Sequence, residues 1–319
     1  MRLSVERLMK EAEATGFRPE SLEKVIRLIS LLNHIFQDPF LRDRLALKGG
    51  TALNLFLFDI PRLSVDIDLN YIGAEDKEDM QAERPGLEAR LRSIFEKDDF
   101  TIRKAPSDHA GGKWQLRYAG AQGQGGSLEV DLNFLHRVPL ESPQWLDSRD
   151  LGSFQAKNVR VMGLHDLAAG KLIALLDRTA ARDIVDAARL FDQPGLDLER
   201  LRLPFVIVGA ASRALDLRTA TPESADPAGD EFDRMVRPLL RASDVQPDPA
   251  TQLEKARSGL RRLLPVRGHE SEFIRAIWEE GEIHPEWLTS DPDLQRRIAS
   301  SPLLRWKTLN VKRHRDLKG

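Results

Sequence analysis

The chain has 319 residues, 41% hydrophobic and 31% charged, with 48 Lys and Arg against 50 Asp and Glu for a formal net charge of −2. That length suits one large domain or two ordinary ones with real cores, and the balanced charge excludes a globally basic protein, so any basic surface must be local. Cysteine is absent, which excludes disulfides, thiolate nucleophiles and sulfur-ligated zinc; a charged N-terminus without an apolar core and the lack of any membrane-length run predict a cytoplasmic protein without membrane association.

Behind Pro19-Glu20-Ser21, the residues Leu22, Val25, Ile29, Leu32 and Phe36 recur at helical spacing and predict an amphipathic helix over residues 20–37, with a second over Asp38–Arg44. Leu45-Ala46-Leu47-Lys48 reads as a short strand broken at Gly49-Gly50. Thr51–Phe58 reads as a short buried helix that Asp59-Ile60-Pro61 ends. Period-two alternation marks strands over Val65–Ile72 and Gly126–Phe134, with weaker signals at Phe100–Lys104 and Lys113–Tyr118, while Glu88–Lys97 is helical in pattern. Pro139–Gly152 reads as a boundary loop. From Gly163 the texture turns helical, and Thr219–Asp230 and Ala242–Ala250 have the composition of exposed linkers or long loops.

The run SVDIDLN places Asp66 and Asp68 two residues apart in a strand, so both project from one face while Val65, Ile67 and Leu69 face a core. Two carboxylates so close repel unless a cation lies between them, and hard oxygen donors suit Mg²⁺ or Mn²⁺. A solvated strand face with two ordinary acids satisfies the same pattern. Context adds to the first reading: Gly49-Gly50-Thr51 offers backbone N–H groups and a hydroxyl to phosphate. The strand LEVDLNF adds Glu129 and Asp131 on one common face.

The ordered set Gly-Gly-Thr-Ala-Leu at 49–53, Arg62-x-Ser64-x-Asp66-Ile67-Asp68-Leu69, and Asp131 on a later strand resembles the nucleotidyltransferase superfamily with a DNA polymerase β-like core. More narrowly it is similar to the AbiEii/MenT toxins of toxin–antitoxin and abortive-infection systems, with LHDLAAGK and Arg182-Asp183-Ile184-Val185-Asp186 following in the expected order. The resemblance covers about residues 45–190. It implies an α+β protein: a nucleotidyltransferase-fold domain with a mixed sheet and N-terminal helices over 1–145, then a mostly α-helical domain over 146–319 that completes the cleft. It further implies transfer of a nucleoside monophosphate from an NTP, with Asp66, Asp68 and Asp131 at Mg²⁺ (or Mn²⁺) and Lys171 neutralising phosphate. Gly49, Gly50, Thr51, Arg62, Ser64, Arg182 and Asp183 are the implied nucleotide-binding residues. A tRNA 3′ end is the implied acceptor and a cognate antitoxin the implied partner. A protein or small-molecule hydroxyl as acceptor, or a catalytically silent nucleotide-binding protein, stay open as alternatives.

Two later stretches add their own physics. Lys171 falls within the apolar stripe Leu164, Leu167, Ala168, Leu172 and Leu175, so it needs an anionic partner or must snorkel from the stripe's edge. Arg182 and Asp186 are one turn apart and can pair, leaving Asp183 to face the nucleotide or the Lys171 ammonium. The tail LLRWKTLNVKRHRDLKG gathers Arg305, Lys307, Lys312, Arg313, Arg315 and Lys318 around Trp306, a candidate RNA-binding surface or a solvated helix end. His109, His136 and His165 lack a metal-ligand spacing, and His165 is expected to help start a helix.

Overall fold

The computed structural model describes residues 3–106, 111–226, 230–242, 244 and 246–316. Of the residues discussed above, His109 and Lys318 lie outside that set. The chain divides into two compact units: Met1–Arg137 with Pro143–Met162 and Asp233–Gln246, and Val138–Ser142 with Gly163–Phe232 and Pro247–Gly319. The expected boundary at 145/146 therefore falls inside the first unit.

In that first unit, α1 (Val5–Thr15) starts on the Ser4 hydroxyl, which accepts the Arg7 N–H, and stops at Gly16, whose φ of 74° closes the helix in the left-handed region. Helix α2 (Pro19–Gln37) begins with Pro at its first turn, and its predicted stripe is buried along with Ile26, Leu28, Leu31 and Ile35 on other sides. A helix apolar on most of its circumference belongs inside a core, not on its rim. Asp38 ends α2 and caps α3 (Pro39–Arg42) by accepting the Phe40 and Leu41 N–H groups. Strand β1 (Leu45–Lys48) runs into α4 (Gly49–Thr51), which continues as a π-helical turn over Ala52–Leu57.

Strand β2 (Asp66–Tyr71) and helix α5 (Lys77–Lys97) follow, the helix starting well ahead of the predicted Glu88. Pro85 and Gly86 inside α5 hide its first half from a reading of periodicity. Strands β3 (Thr101–Lys104), β4 (Gly111–Ala119) and β5 (Gly125–Asn133) match the alternating segments, whereas β6 (Gln144–Leu146) and β7 (Val159–Val161) are too short to signal themselves. Together they make a mixed seven-stranded sheet in the order β3-β4-β5-β2-β1-β7-β6. On one face Ile67, Leu69, Leu116, Leu128, Val130 and Leu132 are fully buried, and Trp114 meets Phe95 of α5 edge-on at 5.4 Å between ring centroids. The acidic residues occupy the opposite face.

The segment 233–246, whose end from Ala242 falls in an expected loop, packs on the first unit: Leu63 N–H donates to the Leu239 carbonyl and Ala242 N–H to the Gly16 carbonyl, at 2.8 Å each.

The second unit is helical: α6 (Leu164–Arg178), α7 (Ala181–Leu190) and α8 (Leu198–Ala210) precede α9 (Glu231–Met235), which leads back to the first unit. It resumes with α10 (Pro249–Leu260), α11 (Gly268–Arg275), α12 (Pro292–Ser300) and α13 (Pro302–Asp316). A buried pair between Arg202 and Glu270 ties α8 to α11 through two bonds of 2.8 and 2.6 Å. No helix among the described residues is long and apolar enough to cross a membrane.

Candidate active site

The carboxylates are brought together by strand register. β2 and β5 pair in parallel, with Asp66 opposite Glu129 and Asp68 opposite Asp131. Partners in register share a face, so four acids from two strands line one side of the sheet. The flanking strands bring two cations to the same face: Lys48 stands opposite Asp68 on β1, and Lys113 stands opposite Asp131 on β4. Neither lysine was singled out from the sequence, because nothing local reveals which strands become neighbours.

The glycine turn closes on this face. Gly49 has a φ of 73°, and a Cβ built there would lie 2.1 Å from an Asp68 carboxylate oxygen. A Cβ on Gly50 would stand 2.8 Å from the Ser64 hydroxyl and 3.4 Å from an Arg62 guanidinium nitrogen. Gly49, Gly50, Arg62, Ser64 and Asp68 therefore meet at one place, as only residues without side chains at the turn permit. Arg62 is 2% exposed and donates to the Leu63 carbonyl, and Ser64 is 8% exposed. Thr51 departs from expectation: it is fully buried, and its hydroxyl donates to the Asp66 carbonyl at 2.5 Å, so it ties the start of β2 to the turn and is not turned to a phosphate.

Burial raises the Asp131 pKa above the usual carboxylate range, and the charges of Asp68 and Glu129 add to this against the pull of Lys48 and Lys113. Glu129 goes the other way, held low by its bond to Lys113 at 3.0 Å. Its carboxylate is thus committed to the lysine, while Asp131 carries the strained charge. Burial, and then the Lys48 ammonium, push His136 down to about 3, so its imidazole is neutral. Among the described residues no group of three His, Asp or Glu side chains is arranged as a metal cage. The donor chemistry still fits Mg²⁺ or Mn²⁺, which take one or two carboxylates and fill their remaining positions with water and phosphate oxygens. Asp68 and Asp131, adjacent in register and mutually repelling, are such a pair.

In the second unit, Lys171 is 8% exposed and bonds Asp183 at 2.7 Å and Asp186 at 2.9 Å, so its anionic partners come from the next helix. Arg178 adds bonds of 2.7 and 3.1 Å to Asp183. Burial pushes the Asp183 pKa up, but Lys171 and Arg178 together outweigh it and hold the carboxyl below its ordinary value. Arg182 is half-buried at the start of α7. His165 sits in the first turn of α6 as expected: its Nε2 accepts the Asp197 N–H at 3.1 Å, which leaves the Nδ1 proton for Glu141 at 2.7 Å.

The basic tail is largely spent on holding α13 in place. Arg305 donates to the Ala299 carbonyl, Lys307 to the Ser212 carbonyl, and Arg315 to the carbonyls of Glu279 and Glu280. Lys307 also lies 3.6 Å from the Trp278 ring centroid, and Arg213 covers Trp306 at 4.7 Å. Lys312 and Arg313 remain exposed.

The chain belongs to the nucleotidyl transferase AbiEii toxin family of type IV toxin–antitoxin systems, whose profile matches residues 30–273, the span that holds the glycine turn and the acids of β2 and β5. Among solved structures the chain is similar to MenT4, the nucleotidyltransferase toxin Rv2826c from Mycobacterium tuberculosis H37Rv, with a TM-score of 0.60 over 95% of this chain and 99% of that one at 16% identity. That likeness bears on the fold, which is the α+β arrangement of a mixed sheet followed by a helical region. No curated protein matches the chain.

Proposed function

We propose that the protein transfers a nucleoside monophosphate from an NTP to the hydroxyl at a tRNA 3′ end, and that this transfer is its toxic activity. The observation that carries the reading is the parallel register of β2 and β5, which sets Asp68 beside Asp131 next to the Gly49–Gly50 turn. In nucleotidyl transfer the attacking hydroxyl displaces pyrophosphate from the α-phosphorus, so the site must hold a polyphosphate, orient a hydroxyl and take its proton. The turn supplies N–H groups and the Ser64 hydroxyl and Arg62 guanidinium stand beside it, all suited to phosphate oxygens. Asp66, Asp68 and Asp131 are the residues that would hold a divalent ion, which when bound supplies positive charge against the phosphate oxygens. Asp131, in register with Asp68, would either share the ion or take the proton of the attacking hydroxyl. Lys171, Asp183 and Asp186 hold α6 to α7, and we assign them a positioning role.

Purified protein incubated with total tRNA, Mg²⁺ and each α-labelled NTP in turn, beside Asp66→Ala and Asp131→Asn variants, tests the proposal. Label entering RNA with the intact protein alone is the expected result. Label entering protein, or a small-molecule pool, would reassign the acceptor. Binding of NTP without any transfer would make the chain a nucleotide-binding interaction protein. As a member of a toxin–antitoxin family the chain is expected to have a cognate antitoxin.

A further inference from the structure

The sheet face that carries the acids continues beyond them. On β4, Lys113, Gln115 and Arg117 stand opposite Asp131, Glu129 and Ser127 of β5, so one row runs from the acid pair through a Lys113–Glu129 ion pair to Arg117. On β3, Thr101 stands opposite Arg117, and Arg103, two residues further on, lines the same place. Here a concavity of about 440 Å³ is lined by Arg103, Gln115, Arg117, Ser127 and Glu129, with the strand backbone as its floor.

The side chains of Arg103 and Arg117 are exposed and form no hydrogen bond or ion pair among the described residues. That is unusual in this chain, where most arginines are bonded to a carboxylate or a carbonyl. Two guanidinium groups lining one cleft repel each other, and Glu129, the acid nearest them on β5, is held by Lys113. The cleft is therefore cationic in effect, with the Ser127 hydroxyl as a further donor. Four residues along β5 separate Asp131 from Ser127, which puts the cationic end roughly 14 Å from the acids.

We infer that this shelf holds the backbone phosphates of a single-stranded RNA 3′ end whose terminal hydroxyl lies at the acids. The inference rests on the nucleotidyltransferase reading above and names the surface that would hold its RNA acceptor. Planar guanidinium groups match phosphate geometry, and a floor of strand backbone without a stacking aromatic reads the chain and not the base. An uncharged small-molecule acceptor would leave both cations unused. The exposed arginines of the shelf, and not the carbonyl-bonded cations of α13, are then the main electrostatic contact with RNA.

The test uses Arg103→Glu and Arg117→Glu in the full-length protein, with Arg117→Lys as the conservative variant. Both arginines are without partners in the described structure, so unfolding is not expected; a circular dichroism melt checks this. In the charge-reversed variants KM for tRNA is expected to rise on the order of tenfold or more, with KM for NTP and kcat at saturating tRNA little changed. The slope of log binding constant against log salt should fall by about 0.7 per arginine removed, and Arg117→Lys should keep most of it. Unchanged tRNA KM and salt slope in both Glu variants, while intact protein labels RNA, would overturn the shelf and leave the transferase reading standing. Absence of any label in RNA with intact protein would overturn both.

Discussion

Replacing Lys171 with Met removes the ammonium that bonds two carboxylates only 1% and 0% exposed, Asp183 and Asp186. The methionine fills most of the space, so the loss is electrostatic and not a cavity. Breaking one side of a buried ion pair costs about 3–5 kcal/mol, because the surviving charge keeps its desolvation penalty. Arg178 cannot make this good: its side chain is 63% exposed, and a solvent-screened partner is worth about 1 kcal/mol or less. Against a typical stability of about 5–15 kcal/mol this is a large fraction. The pH dependence fixes the cause. In the intact protein Asp183 has a lowered pKa, so its stabilising contribution is full above the unfolded value of 3.8 and is lost as pH falls below it. Without Lys171, burial is left as the dominant influence and the folded pKa rises above the unfolded one. Protonation then favours the folded state, and the deficit relative to the intact protein shrinks as pH falls toward 4. Urea denaturation of both proteins between pH 4 and 8 measures this. A deficit below about 1 kcal/mol at pH 8, or one that grows on acidification, would refute the argument.

Other substitutions probe the glycine turn and the first turn of α6. Gly49→Ala sets a methyl group against the Asp68 carboxylate at a left-handed φ; it should cost about 1–2 kcal/mol in a thermal melt and more than tenfold in nucleotide transfer, and full activity would show that Asp68 does not act from this position. Thr51→Val removes the hydroxyl bonded to the Asp66 carbonyl with little change of shape; about 1–3 kcal/mol should be lost, and Thr51→Ser should restore most of it in the same denaturation assay. Asp166 is raised to about 7, first by burial and then by Glu141, against the N–H groups of Leu140 and Glu141 that it accepts. The folded state thus binds the extra proton between about pH 4 and 7, and stability falls as pH rises through that window. Asp166→Asn should flatten that decline in the melting temperature, and an unchanged slope would assign it to other groups.

Much of the first unit was legible because its signals are local. The alternation of β2 and β5, the double glycine and the acids themselves are read within about ten residues each, and the structure puts strands at those places. The first half of α5 and the strands β6 and β7 were hidden for local reasons too, an internal Pro-Gly in one case and three-residue length in the others. The segment 233–246 was obscured differently. It lies between two stretches read as linkers and carries no strong periodic signal, but its carbonyl of Leu239 and N–H of Ala242 find backbone partners on the first unit far away in sequence.

By itself the sequence determined the chemical inventory: which acids share a strand face, where the chain can turn tightly, and that Lys171 points into an apolar stripe. Those follow from the fixed periods of strand and helix and from glycine's lack of a side chain. Tertiary structure alone decided who meets whom. The parallel pairing of β2 with β5 joins residues more than sixty apart, and a one-residue shift of register would send Asp131 to the buried face. The same nonlocal pairing chose Lys48 and Lys113 as neighbours of the acids and gave Lys171 to Asp183 and Asp186. It also aligned Arg117 behind Glu129 on one face, because long-range register is set by burial of a whole apolar face and not by any single residue along it.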